Sequence, residues 1–155
     1  DGPIVYDVVT VSIYNVLHVL DYIEWKIKTG KDSYKVLWKE HSSHFGVHPL
    51  HQPPHLCVQT MPNDAKMIIN AKYNNWRTKM LAWVDDLDTY TEDQSKDSLK
   101  ESINTYVDTW IGFINQNDNS KAMPEFWDYT NKLDEIRDEI FSDVFPELNT
   151  LLKME

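Results

Sequence analysis

Five of the 6 histidines in this chain lie within one short stretch. They are His41, His44, His48, His51 and His55. Neutral imidazoles at this density bind Zn²⁺, Ni²⁺ or Cu²⁺, above all when pairs stand three or four residues apart on a helix. The prolines that follow His48 interrupt a helix, so a helical metal site would use His41, His44 and His48. The competing interpretation, an exposed irregular loop, is favoured because the stretch contains neither Asp nor Cys.

A second set of residue types matches a nucleophilic triad: Ser12, His18 and Asp21. In such a triad a histidine takes the serine proton and an acid orients the histidine. The residues around Ser12 lack the pattern of a nucleophile elbow, and any chain of this size offers such sets by chance. The simpler interpretation is that Ser12 satisfies a turn.

The elements that would position Ser12 are a strand and a helix. Ile4–Ile13 is rich in Val, Ile, Tyr and Thr and lacks Gly, which predicts a strand. Its valines fall on both faces, as is typical of a strand inside a covered, usually parallel, sheet. Asn15 stands where a helix N-cap is expected, because its side chain can accept the first free N–H groups. Ser12 and Asn15 would then form the corner between the two elements.

Residues 31–61 are predicted to be irregular, with "KVLW" and "HLCVQTM" as possible short strands. Three long helices follow, each with an apolar seam at helical spacing. The first seam contains Ala65, Ile69, Tyr73, Trp76, Met80, Trp83 and Leu87. The second contains Leu99, Ile103, Tyr106, Trp110 and Phe113. The third contains Phe126, Tyr129, Leu133, Ile136 and Ile140, with Pro124 in its first turn and Pro146 ending the helix.

These elements predict a mainly α protein: a small helical bundle with an N-terminal strand–helix unit and one or two short strands. We expect residues 1–155 to form a single domain. Within it, residues 1–30 would be the strand–helix unit, 31–61 the His/Pro-rich segment and 62–155 the bundle.

The formal net charge is −10, from 25 acidic and 15 basic residues. Such a charge repels phosphate backbones, and the lysines are scattered, so we expect no nucleic-acid partner. No apolar run reaches the roughly 18 residues of a membrane helix, so we expect no membrane partner. The sequence also shows no signal peptide, and together these features predict a cytoplasmic protein.

Three segments, taken in order, resemble a known family. They are "TVSIYNVLHVLDYIEW", "HPLHQPPHLCVQTMPNDAK" and "FWDYTNKLDEIRDEIFSDVFPEL". The succession resembles the C-terminal part of twitch-type radical SAM proteins, many of which occur in marine bacteria and phages. The resemblance covers nearly the whole chain, although no single motif is diagnostic.

The resemblance implies a parent enzyme with S-adenosylmethionine and a [4Fe–4S] cluster, held by a C-x-x-x-C-x-x-C loop early in a partial (β/α) barrel. This chain has one cysteine, Cys57, and one thiolate does not hold such a cluster. We therefore expect no cofactor in this chain and read it as a C-terminal fragment, inactive alone, whose first strand is a late barrel strand. By resemblance, Ser12 and Asn15 would lie near the cofactor or substrate, whereas the simpler roles are a helix cap and a turn.

Two further expectations concern partners. A barrel strand without its neighbours has unpaired edges, which recruit other strands. We expect a homodimer through the N-terminal strand and the first helix, unless "KVLW" or "HLCVQTM" pairs with that strand internally. The alternative to the radical SAM reading is a stand-alone acidic helical module that binds a partner protein.

Overall fold

A parallel β-α-β unit opens the part of the chain that the computed structural model describes, residues 9–29, 47–87 and 96–154. Strand β1 (Val9–Val11) pairs in parallel with β2 (Val47–Pro49), with Val9 opposite Val47. Helix α1 (Val19–Thr29) lies between them along the chain. The predicted strand is confirmed for Val9–Val11, whereas residues 4–8 lie outside the described residues. Ser12 and Ile13 are not part of the strand.

The corner after β1 is longer than predicted. Residues 12–18 form helical turns, in which Val16 N–H donates to the Ser12 carbonyl and Val19 N–H to the Asn15 carbonyl. The regular helix begins at Val19. The prediction that Asn15 caps an adjoining helix is therefore wrong, because turns that already satisfy the backbone precede α1.

Strand β2 lies inside the segment that was predicted to be irregular. The prediction of a strand at "HLCVQTM" is wrong, because this segment forms two 3-10 turns, Pro54–Leu56 and Val58–Thr60. Pro53 and Pro54 fix φ and lack N–H donors, which suits tight turns better than a strand. The "KVLW" segment lies outside the described residues.

Two long helices form an antiparallel hairpin, α2 (Asn63–Asp85) and α3 (Lys96–Gln116). Near its middle, Arg77 Nη2 donates to Asp108 Oδ1 at 2.7 Å. At one end Lys66 Nζ donates to the Asn117 carbonyl at 3.1 Å, which places a cation at the carboxyl end of α3. The two predicted seams are confirmed as core, except that Trp83, Leu87 and Phe113 are half-buried.

Three shorter helices complete the described chain: α4 (Met123–Arg137), α5 (Phe141–Val144) and α6 (Pro146–Leu152). Pro124 lies in the first turn of α4, as predicted. The prediction that this helix continues to Pro146 is wrong, since α4 ends at Arg137 and Pro146 begins α6. Asp138 ends α4 with a left-handed backbone (φ 54°).

The third predicted seam is only half correct. Phe126 is buried, but Tyr129, Ile136 and Ile140 are exposed. Because the chain turns at Asp138, it is Phe141 that packs against Phe126, with ring centroids 5.9 Å apart. Phe141, which lies beyond the turn, thus occupies the place in the core that the helical spacing predicts for Ile136 and Ile140.

One hydrophobic core joins both strands, the 3-10 turns and all six helices of the described residues. The predicted fold class is confirmed: the protein is mainly helical, with one short two-stranded parallel sheet. Within the described ranges, no helix combines the length and the apolar content needed to cross a bilayer.

Candidate functional site

Both polar atoms of the Asn15 side chain make hydrogen bonds within the corner after β1. Asn15 Oδ1 accepts a hydrogen bond from Ser12 N–H at 2.8 Å, and Nδ2 donates to the Thr10 carbonyl at 2.9 Å. These bonds fix the chain direction as it leaves β1, which agrees with a structural role. The Ser12 hydroxyl, in contrast, makes no hydrogen bond with the described residues and remains available.

Of the three histidines proposed for a helical metal site, only His48 lies within the described residues. His48 lies on strand β2, so it is not on a helix as the trio requires. His41 and His44 lie outside the described residues. Across residues 9–29, 47–87 and 96–154, no group of three or more His, Cys, Asp or Glu side chains is placed to hold a metal ion.

The Ser12, His18 and Asp21 set is only partly assembled. His18 Nδ1, in the last turn before α1, lies 3.5 Å from Asp21 Oδ2 in the first turn of that helix, and both side chains are exposed. The two residues are three apart where helical turns run into α1, and such a contact is expected there for any pair of this kind. No hydrogen bond links the Ser12 hydroxyl to His18 in the described structure, so the geometry of a nucleophilic triad is missing there.

Cys57 does not fit a role as an iron ligand. Its side chain is buried, and its thiol donates to the Pro53 carbonyl at 3.4 Å. Burial raises the pKa of the Cys57 thiol, which disfavours the thiolate that binds iron. Cys57, as the described structure places it, is therefore unsuited to bind iron.

Two chemically versatile residues follow the ends of the two parallel strands, and each contacts helix α4. The segments that follow β1 and β2 carry Tyr14 and His55, and both side chains face helix α4. The two segments are tied together, since Ile13 N–H donates to the Leu56 carbonyl at 3.0 Å. In open parallel sheets ligands bind beyond the carboxyl ends of the strands, so this edge is the place to search for a site.

We define the strand-end cluster as Tyr14, His55 and the side chains of α4 that one or the other of them contacts. It consists of Tyr14, His55, Glu125, Tyr129 and Thr130, the last three on α4. Neither the spacing of the histidines nor the apolar seams of the predicted helices indicated that these residues lie close together.

His55 is the centre of the cluster. Its Nδ1 lies 3.7 Å from Glu125 Oε2, and its ring packs on Tyr129 with centroids 5.2 Å apart. Its Nε2 atom is buried and has no hydrogen-bond partner in the described structure. A buried polar atom without a partner is costly, so each case needs an explanation, such as a water molecule or a functional role.

Tyr14 closes the other side of the cluster. Its hydroxyl lies 2.8 Å from Thr130 Oγ1, and its ring packs against Phe126 and Phe145. Burial raises the pKa of Tyr14, an effect that the Thr130 hydrogen bond partly opposes. The phenol therefore stays protonated at neutral pH.

The cluster has the parts of an acid–base site. Glu125 lies beside one imidazole nitrogen of His55, and the other nitrogen is buried without a hydrogen-bond partner among the described residues, where a bound group would meet it. The sequence offered one signal, His55 as a member of the histidine-rich stretch. Glu125 and Tyr129 gave none, because only the folded chain brings α4 beside the 3-10 turn.

Comparison with protein-family models, with curated proteins and with solved structures found no match for this chain.

Proposed function

We propose that this chain is the C-terminal part of a radical SAM enzyme and has no activity on its own. The observation that supports the proposal best is the parallel pairing of β1 with β2 around α1. A parallel β-α-β unit is the repeating unit of (β/α) barrels, and parallel strands are found in sheets covered on both faces. This agrees with the family that the three sequence segments resemble.

In this proposal Ser12 lies near S-adenosylmethionine or the substrate, because it follows a strand at the edge where barrel enzymes bind their ligands. Asn15 then acts by holding the corner through Ser12 N–H and the Thr10 carbonyl. The [4Fe–4S] cluster and S-adenosylmethionine would be bound by the parent protein rather than by this chain. We place the protein in the cytoplasm, since a buried, unpaired cysteine agrees with a reducing compartment.

Gene context tests the proposal directly. The coding DNA upstream of Asp1 should continue in frame to a C-x-x-x-C-x-x-C loop. A start codon with a ribosome-binding site immediately before Asp1 would overturn the proposal and favour a stand-alone module.

Reconstitution gives a second test. After anaerobic treatment with iron and sulfide, we expect this chain to hold no stoichiometric four-iron cluster and to leave S-adenosylmethionine intact. The Cys57→Ala variant is the control for iron that binds through the thiol. A stoichiometric cluster, or cleavage of S-adenosylmethionine by this chain alone, would contradict the proposal.

The role of Ser12 requires the full parent protein. There, Ser12→Ala should lower turnover of S-adenosylmethionine, whereas Thr78→Ala, which removes an exposed hydroxyl from α2, should not. Equal turnover in both variants would remove Ser12 from the site but would leave the family proposal standing.

A second candidate function is an acidic helical module that binds a partner protein. The observation that favours it is the exposure of Ile136 (80%) and Ile140 (60%) in a chain of net charge −10. Large aliphatic side chains this exposed, if contiguous, mark interaction surfaces.

A further inference from the structure

The apolar pattern of α4 continues past the part that the core covers. Phe126 is fully buried, yet Ile136, at the other end of the same seam, is 80% exposed. Ile140 and Val144 follow at steps of four residues and are 60% and 49% exposed. The Val144 N–H donates to the Ile140 carbonyl at 3.1 Å, so these two residues are one helical turn apart.

Acidic residues accompany these exposed apolar side chains. Between residues 134 and 144 the sequence holds five acids and one base, Arg137. Four of the acids have exposed side chains: Glu135, Asp138, Glu139 and Asp143. Asp134 is half-buried, because its Oδ2 accepts the Phe141 N–H at 2.8 Å. We call the exposed residues of this segment the C-terminal face.

The turn at Asp138 holds the C-terminal face in shape. The Asp138 and Glu139 N–H groups both donate to the Asp134 carbonyl, which is the pattern of a helix ended by a left-handed residue. With Asp134 also bonded to Phe141, the segment that carries the isoleucines is fixed at both ends of the turn. A surface that is ordered before binding loses little entropy when a partner docks.

We propose that the C-terminal face docks an amphipathic helix whose polar side is rich in Lys and Arg. The exposed aliphatic side chains Ile136, Ile140 and Val144 offer an apolar surface that the apolar side of such a helix can cover. The exposed acids complement a basic partner and steer its approach. A second copy of this chain would bring two faces of like charge together, and anionic lipid or nucleic acid would be repelled for the same reason.

This proposal is independent of the radical SAM assignment and gives the second candidate function a partner of defined chemistry. Failure of the peptide experiment below would leave the gene-context test of the radical SAM assignment unaffected.

The test uses a fluorescein-labelled synthetic peptide with Leu and Lys arranged at helical spacing, titrated with the full chain and followed by fluorescence anisotropy. We expect saturable binding that weakens as salt is added. Peptides in which Glu replaces Lys, or Ser replaces Leu, should not bind. No binding of the Leu/Lys peptide would overturn the proposal.

Variants locate the binding site. The double variant Ile136→Ser/Ile140→Ser should weaken binding about tenfold or more, the loss expected when central anchors are removed. Its control is Met67→Ser/Ile68→Ser, which removes another exposed apolar pair, on α2, and should leave affinity unchanged. Both pairs are exposed, so helix content by circular dichroism should stay that of the wild type.

A second pair of variants tests the charge. Glu135→Gln/Glu139→Gln should weaken binding and reduce its dependence on salt, whereas Asp97→Asn/Glu101→Gln, the same charge change on exposed positions of α3, should do neither. Equal effects of the two pairs, or self-association of the wild-type chain that Ile136→Ser/Ile140→Ser abolishes, would overturn the proposal.

Discussion

The hydroxyl of Tyr14 lies 2.8 Å from the hydroxyl of Thr130, across a separation of 116 residues. The bond ties the corner after β1 to the middle of α4. Thr130 is 2% exposed, so its hydroxyl has little access to bulk water. This contact holds together the two sides of the strand-end cluster.

Tyr14→Phe should therefore lower the free energy of unfolding by about 1–3 kcal/mol, because it leaves a buried hydroxyl without a partner. The double variant Tyr14→Phe/Thr130→Val should cost less than the sum of the two single changes, since both polar groups are then gone. Urea denaturation of the four proteins measures this coupling. Strict additivity would show that the two hydroxyls do not interact.

High pH should destabilise the protein through buried tyrosines. Burial raises the pKa values of Tyr73 and Tyr106 above the ordinary value of 10.0. A raised folded-state pKa gives stability that is present below the unfolded value and is lost as the pH rises above it. We expect the thermal midpoint to fall as the pH passes about 10.

The control for this effect is the double variant Tyr73→Phe/Tyr106→Phe, whose thermal midpoint should decline less steeply above pH 10. Lys66 acts in the opposite direction. Burial lowers the pKa of Lys66, although Asp118 partly offsets this, so its contribution to stability rises with pH. If the thermal midpoint of Tyr73→Phe/Tyr106→Phe fell as steeply above pH 10 as that of the wild type, the assignment to these tyrosines would be contradicted.

Glu24 should contribute to acid sensitivity. Burial alone would raise the pKa of Glu24, but hydrogen bonds from Lys28 and Lys79 outweigh it and hold the pKa below the ordinary value of 4.5. A lowered folded-state pKa gives stability that is present above the unfolded value and is lost as the pH falls through the folded one. Glu24→Gln should thus be less stable than the wild type at pH 7, and the difference should shrink below pH 4.

Chemical denaturation at several pH values checks this expectation, with Glu101→Gln as a control on the exposed surface of α3. A Glu24→Gln deficit that stays constant down to pH 3 would mean that lost packing, not charge, is responsible.

The left-handed turn at Asp138 predicts opposite effects for two substitutions. Asp138→Gly should stabilise the protein by up to about 1 kcal/mol, because glycine adopts a positive φ without steric cost. Asp138→Val should destabilise it by about 1–2 kcal/mol, because a β-branched side chain is strained there. Thermal unfolding of both variants is the measurement, and equal shifts would argue against the turn.

Self-association through the N-terminal strand stays a prediction. Within the described residues β1 pairs with β2 alone, so its other edge can accept a strand from a second copy. We expect a dimer by light scattering at several concentrations, and its loss in a variant lacking residues 1–12 that keeps its helical circular dichroism. A wild-type chain that stays monomeric at high concentration would refute the prediction, as would a dimer that survives the deletion.

The α2–α3 hairpin was predictable because its seams repeat over many turns. Met80 and Trp110 are buried as their spacing requires. Strand β2 was not predictable, since three residues among prolines and histidines carry no periodic signal. This segment is a strand only because it pairs with β1, which supplies the hydrogen bonds.

The strand-end cluster was even less accessible from sequence. His55 and Glu125 approach each other only because α4 packs beside the 3-10 turn, and no local pattern encodes that contact. Ile136 shows the opposite error. Its spacing fits a core helix, but the turn at Asp138 sends Phe141 into the core in its place.

We expect the β1–β2 pairing to open more readily than the α2–α3 hairpin. Joining Val9 to Val47 requires closing a long crossover, whereas the α2–α3 hairpin forms contacts between helices that follow each other along the chain. The amides of β1 and β2 should then exchange with solvent through small, frequent openings, while the hairpin amides exchange only when the whole domain unfolds. A small molecule that bridges Tyr14 and His55 would slow exchange in the strands first, so hydrogen exchange offers a way to find such a ligand without an activity assay.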